Sequence, residues 1–211
     1  MAASRRAPAR RKRPDAYHHG DLRRALVGEA VRTVEAQGIE ALTLRAVALR
    51  LGVSRTALYR HFADKGALLG AVAAEGFRTL RAALVGAWEA EGRGRKGFVA
   101  MGEAYVRFAL DHPSHYRVMF GGFALPPDPA LADPAGSAFQ ALVDALVEQQ
   151  ERGEVRDDPP LMLALHVWSL VHGVAMLALD GQLGAGGPPP SAVTQFALER
   201  LLSGIEVGVK R

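Results

Sequence analysis

The stretch Leu42–Lys65, LTLRAVALRLGVSRTALYRHFADK, restricts this chain more than any other. Leu44, Val47, Ala48 and Leu51 recur at helical spacing, and Val53, Ala57, Leu58 and Phe62 do so again after a Gly-Val break. Gly52 stands where the first helix must stop, because glycine takes a positive φ without steric cost. Ser54 follows, where its side-chain oxygen can cap the next helix. Two helices joined in this way form a helix-turn-helix, whose second helix enters the major groove of DNA. The second helix exposes Arg55, Thr56, Tyr59 and Arg60, with His61 at its end. Those side chains suit phosphates and base edges.

Charge supports a nucleic-acid partner. Residues 1–66 hold 14 Lys+Arg against 6 Asp+Glu, a net +8, whereas residues 67–211 hold 12 against 16, a net −4. A basic head on an acidic body is the layout of a DNA reader with a separate partner or ligand domain. The chain has no cysteine, which excludes disulfides, a thiol nucleophile and Cys-ligated zinc. H-E-x-x-H, G-x-S-x-G and a Gly-rich P-loop are missing too, so no enzyme is expected. No apolar run approaches the ~20 residues of a membrane span, and the basic N-terminus has no apolar core of a secretory signal. Cytoplasmic residence and no membrane association are the expectation.

In chain order, residues 1–16 carry six Lys/Arg and no apolar periodicity, and read as a basic flexible arm. The arm is either a solvated tail or a strand of charge lying on DNA. A first helix is predicted over 22–37, capped by Asp21 and ended by Gly38. Helices over 44–51 and 55–61 follow, capped by Thr43 and Ser54. Asp64 caps a helix from 65 to about 90, which at about 1.5 Å per residue is long enough to act as a lever. Further helices are predicted over about 97–111, 114–120, 135–152, 159–180 and 191–207, with loops at 92–97, 121–134 and 184–190. Asp157 and Asp158 read as the cap of the helix from 159. That helix is apolar on more than one face, and it and the last helix carry the small residues Gly173, Ala175, Ala178 and Gly204, with Gly208 just beyond. Burial by a second subunit explains such a composition. No strand alternation appears.

Thr43, Ala48, Gly52, Val53, Ser54, Leu58, Tyr59, His61, Phe62 and Lys65 together resemble the TetR family of bacterial transcriptional regulators. Thr56 departs mildly from the small residue usual there, which bears on operator preference. Farther along, AYVRFALDHPSHYRVMF at 104–120, with Trp168, His172 and Gly173, resembles the subgroup named for a Trp-His-Gly signature. The resemblance implies an all-α homodimer with a basic arm (1–16), a three-helix DNA-binding head (17–66) and a helical ligand-binding and dimerisation domain (67–211). It implies a ligand-responsive repressor on a palindromic double-stranded operator; an activator or an effector-free architectural DNA-binding protein would use the same head.

The DNA-contacting candidates are Thr43, Arg45, Ser54, Arg55, Thr56, Tyr59, Arg60, His61 and Lys65. Arg55 and Thr56, at the start of the reading helix, can reach guanine and the thymine methyl group. Tyr59, His61 and Lys65 match phosphate-contacting positions of the family, and Arg45 begins a helix in reach of the backbone. For an unidentified small-molecule effector the candidates are Met101, Tyr105, His115, Tyr116, Met119, Phe120, Phe123, Trp168 and His172. Met and aromatic side chains build adaptable apolar pockets, and equally build plain core. His166 and His172 are spaced poorly for a shared metal, so neither a metal nor a cofactor is expected.

Overall fold

The computed structural model describes residues 19–122, 129–184 and 186–207. The predicted basic arm and Phe123 lie outside them. The described residues form nine α-helices: α1 (His19–Gln37), α2 (Leu44–Arg50), α3 (Arg55–Tyr59), α4 (Lys65–Ala90), α5 (Gly94–Asp111), α6 (Pro113–Phe120), α7 (Pro129–Glu151), α8 (Pro160–Leu179) and α9 (Pro190–Ile205). A lone antiparallel bridge, Val155 to Glu206, ties the α7–α8 connection to the end of α9.

The head is built by local turn chemistry. Thr43, Ser54 and Asp64 each hold extended backbone and accept a hydrogen bond from the N–H three residues on, at 3.2, 3.1 and 2.7 Å. Each cap satisfies a donor that the first helical turn leaves free. Gly52 turns the chain between α2 and α3 at φ +66°. Leu26, Leu42, Val47, Leu58, Phe62 and Leu68 close over one another with 2% exposure or less. A polar clamp fixes α2 on α1. The nearly buried Glu29 carboxylate accepts from Arg32 at 2.8 Å and from Arg50 at 3.3 Å, and Arg50 also donates to Thr33 Oγ1 at 2.9 Å.

Helix α4 runs from this head into the body, where it packs on α5, α6 and α7; α8 and α9 close the far side of α5. Close approaches depend on glycines. A Cβ on Gly97 would lie 2.6 Å from the Trp88 carbonyl oxygen, and one on Gly76 would overlap the Met119 thioether and sit 3.2 Å from His115 Cβ. At Gly76 the α4–α6 seam is therefore closed by the Met119 and His115 side chains lying directly on the bare α4 backbone.

Several elements differ from expectation. Helix α1 starts at His19, so Asp21 lies in its first turn rather than ahead of it. The expected loop at 129–134 is the first part of α7, with Pro134 inside the helix. Pro134 forfeits one backbone hydrogen bond near the helix start, while Leu131 and Ala138 pack into the core. Asp157 and Asp158 do not cap α8; Pro159 occupies that position with no side-chain cap. The Arg156 and Asp158 carbonyls instead accept from the Gln150 side chain, both at 2.7 Å. Helix α8 is also long and apolar enough to cross a membrane by length and composition, with a mean hydropathy of 1.8. It packs against α5, α7 and α9 within this fold.

The two kinds of helical glycine respond oppositely to a methyl group. Gly97→Ala meets backbone and is expected to destabilise by about 1–3 kcal/mol. Gly86→Ala meets nothing within 4 Å and is expected to stabilise by about 0.5–1 kcal/mol. Urea denaturation of the two variants checks both signs.

Candidate DNA-reading face and ligand cavity

On the head, Arg45, Arg55, Thr56, Tyr59 and Arg60 are exposed, and Tyr59 keeps 55% of its surface accessible although its neighbour Leu58 is buried. Thr43 and Ser54 spend an oxygen lone pair on their caps but keep a hydroxyl proton to donate. Arg45 and Arg55 flank a shallow groove between α2 and α3. Leu49 lies in that groove at 79% exposure, a position that helical periodicity alone does not mark. His61 is half-buried at the end of the reading segment. Lys65, in the first turn of α4, donates to the Glu40 carbonyl at 3.5 Å, so it also ties α4 to the α1–α2 loop.

In the body, α4, α5, α6, α7 and α8 enclose a cavity of about 370 Å³. Phe77, Leu80 and Leu84 of α4 form one wall. Phe98, Met101 and Tyr105 of α5, with Phe120 of α6, form the next. Ala135, Ala138, Phe139 and Leu142 of α7 and Leu165, Val167, Trp168 and Val171 of α8 complete it. Of the effector candidates, Met101, Tyr105, Phe120 and Trp168 reach this lining. Tyr116 and His172 stand behind it. His115 and Met119 lie outside it, because both face Gly76 across the α4–α6 seam, and His115 Nε2 is 3.8 Å from the Glu75 carboxylate. The α4 and α7 lining escapes sequence reasoning, since their apolar positions look like ordinary core until the two helices are seen to face each other.

Behind the lining runs a chain of polar groups. Trp168 Nε1–H donates to the Tyr105 hydroxyl at 3.0 Å. The Tyr105 and Tyr116 hydroxyls are 3.1 Å apart, and both approach His172 Nδ1, Tyr116 at 2.7 Å and Tyr105 at 3.0 Å. Nδ1 offers one lone pair, so the shorter contact makes Tyr116 its donor and leaves the ring proton on Nε2. Ring packing reinforces the chain: Tyr116 stacks on His172 at 5.6 Å, and Phe120 meets His172 edge-on at 5.0 Å. Burial pushes Tyr105 up to about 12 and raises Tyr116 as well, so both stay protonated donors. Burial lowers His172 below the ordinary 6.5, which favours the neutral ring that this chain requires.

The geometry thus pairs a basic, exposed helix-turn-helix with an apolar chamber on the same long helix. Residues 26–72 match the model for bacterial regulatory proteins of the tetR family, and residues 98–201 match that for the tetracyclin repressor-like C-terminal domain. The chain belongs to the TetR family. This TetR-family regulator is similar to a structure of a protein with unknown function from Rhodococcus sp. RHA1, at 35% identity over 91% of this chain and 99% of that one, with a TM-score of 0.82. It also shares its fold with a tetR-family regulatory protein from Rhodococcus RHA1 (21% identity, 89% and 98% covered, TM-score 0.69). The same holds for the TetR-family regulator PfmR from Thermus thermophilus (21% identity, 88% and 99% covered, TM-score 0.66). No curated protein matches the chain. Proteins of this family are DNA-binding transcriptional regulators rather than enzymes, and their targets are double-stranded operators. The Trp-His-Gly likeness rests on the sequence at 104–120 together with Trp168, His172 and Gly173.

The lowered His172 and His115 give the body a pH dependence of known sign. Both have folded-state values below the ordinary 6.5, from burial first, with Glu75 partly offsetting the shift at His115. The unfolded chain therefore binds more protons below that pH, so stability is complete above about 6.5 and declines as the pH falls. In urea denaturation at pH 7 and pH 5, His172→Gln is expected to show a smaller loss than the wild type.

Proposed function

We propose that this protein is a homodimeric, ligand-responsive transcriptional repressor that works in the cytoplasm and holds a pseudo-palindromic operator when its body is unliganded. The observation that carries this reading is the continuity of α4, whose first turn holds Lys65 beside the reading helix and whose later turns present Phe77, Leu80 and Leu84 to the cavity. A ligand that binds one arrangement of the body more tightly than another shifts the head with it. Helix α6 offers a second route. Its Phe120 lines the cavity and also borders the crevice where α6 faces Val34 and Ile39 at the end of α1.

A second copy is the natural cover for α8 and α9. Leu161, Met162, Leu165, Met176 and Leu177 of α8 and Phe196 of α9 are large apolar side chains with 36–62% of their surface accessible. On α8 they follow a stripe at helical spacing that passes Ser169 and the half-buried Gly173. Patches of this kind mark protein interfaces. Two heads related by a dyad then occupy half-sites about 34–36 Å apart, or a multiple of that.

Selection of bound duplexes from a random pool, followed by footprinting, tests the reading. A pseudo-palindrome supports it; binding with no sequence preference favours an architectural protein. Arg55→Ala is expected to relax preference at one base pair per half-site, at a cost of about 1–3 kcal/mol. Arg45→Ala is expected to weaken all duplexes alike and to flatten the salt slope by ~0.9. For the dimer, Met162→Glu combined with Phe196→Glu is expected to yield a folded monomer in sedimentation at micromolar concentration, with operator affinity reduced; a wild-type monomer under the same conditions refutes the dimer.

A further inference from the structure

The chemistry of the cavity wall narrows what it can hold. Among the described residues, no Lys, Arg, His, Asp or Glu side chain lines it, and the side-chain polar groups on the lining are the Tyr105 hydroxyl and the Trp168 indole N–H, which are bonded to each other. The one Tyr105 proton is spent away from the cavity, on the Tyr116 oxygen. A buried carboxylate would therefore find no opposite charge and no unspent donor, and a buried ammonium no carboxylate and a single free Tyr105 lone pair; burying an ion without a charged partner costs several kcal/mol. An apolar guest breaks no hydrogen bond on binding. One hydroxyl can still be accommodated, because the Tyr105 oxygen accepts from Trp168 and has a further lone pair.

Shape adds to this. Aromatic side chains from all five enclosing helices face the space, and they sit edge to face with one another: Phe77 on Phe120 at 5.4 Å and 82°, and Phe139 on Trp168 at 5.9 Å and 68°. Rings in that arrangement present both faces and edges to a guest, which favours a second aromatic system. At interior packing density, and with roughly 18 Å³ of van der Waals volume per carbon, a space of this size takes roughly 12–16 non-hydrogen atoms.

We propose that the effector is an uncharged aromatic compound of about naphthalene size, carrying at most one hydroxyl-type polar group, seated against the continuous ring wall of Phe77, Phe120, Trp168 and Phe139. This deepens the ligand-responsive reading and rests on it only for the consequence at the operator, not for binding.

The test uses a matched pair of probes, 2-naphthylmethanol and 2-naphthoate, with the full-length protein at pH 7.5. The two share a ring system and differ in charge. Thermal shift and calorimetry are expected to show binding of the alcohol, at least tenfold tighter than the carboxylate. Ala138→Phe and Ala135→Phe, which project a ring into the cavity from α7, are each expected to abolish binding of the alcohol; either folded variant suffices. No binding of the alcohol, equal or tighter binding of naphthoate, or binding of the alcohol unaffected in a folded cavity-filling variant overturns the proposal. Operator release is read separately by fluorescence anisotropy. An operator that stays bound at saturating alcohol counts against the ligand-responsive reading and leaves the assigned ligand class standing.

Discussion

Burial of α4 is the constraint on which the other elements depend. Near its start, Leu68, Leu69 and Val72 fill the head core with Leu26 and Phe62; farther on, Leu80, Leu84 and Trp88 fill the body core with Phe98 and Met101. One continuous apolar cluster thus spans reader and chamber. Between the two ends lie Gly70, Ala71, Ala73, Ala74 and Gly76, all buried. Small side chains there let α6 and α1 approach the helix axis closely, at the place where head and body meet. Over residues 68–76, where head and body meet, the helix is buried on nearly every side, and close-packed surroundings of that kind resist bending.

The second organising feature is the Trp168–Tyr105–Tyr116–His172 chain. It joins α8, α5 and α6 by polar bonds in surroundings where such bonds are strong and unpaired groups are costly. Three helices are thereby fixed in mutual register behind an otherwise apolar wall. Among the described residues, the polar groups at the cavity's edge, Tyr105 and Trp168, are occupied with each other through this arrangement. The head has a counterpart in Glu29, where one carboxylate positions Arg32 and Arg50 and so sets the angle of α2 on α1. In both places a polar cluster determines orientation while apolar burial supplies most of the cohesion.

How much of this was legible depended on whether the signal was local. The caps Thr43, Ser54 and Asp64 and the turn at Gly52 act within four residues, and the sequence pattern located all four. The extent of α4 followed from its cap and its apolar series. The start of α7 was hidden because Pro129 and Pro134 read as breakers, while the compensation comes from α4 and the body core, far away in sequence. Asp157 and Asp158 misled for another reason: they have the composition of a cap, but Gln150 at the end of α7 bonds the Arg156 and Asp158 carbonyls and Pro159 takes the cap position. Likewise, Tyr105 and Trp168 could be nominated as aromatic neighbours of a pocket, whereas the inclusion of Phe77 and Phe139 and the exclusion of His115 and Met119 depend on which helix faces which.

The bare contact at Gly76 has a mechanical meaning. Met119 rests in the notch that the missing side chain leaves on α4, with His115 one turn back along α6. A thioether seated in such a notch meets the buried side chains of Val72 and Leu80, one turn to either side of Gly76 on the same helix face, if it moves along α4. For α6 to shift against α4, Met119 must lift out and settle somewhere else. The seam works as a detent, holding one position firmly and making any second position a discrete step. On the dimeric, ligand-responsive reading proposed above, two heads coupled through such seams move between defined separations rather than over a continuous range.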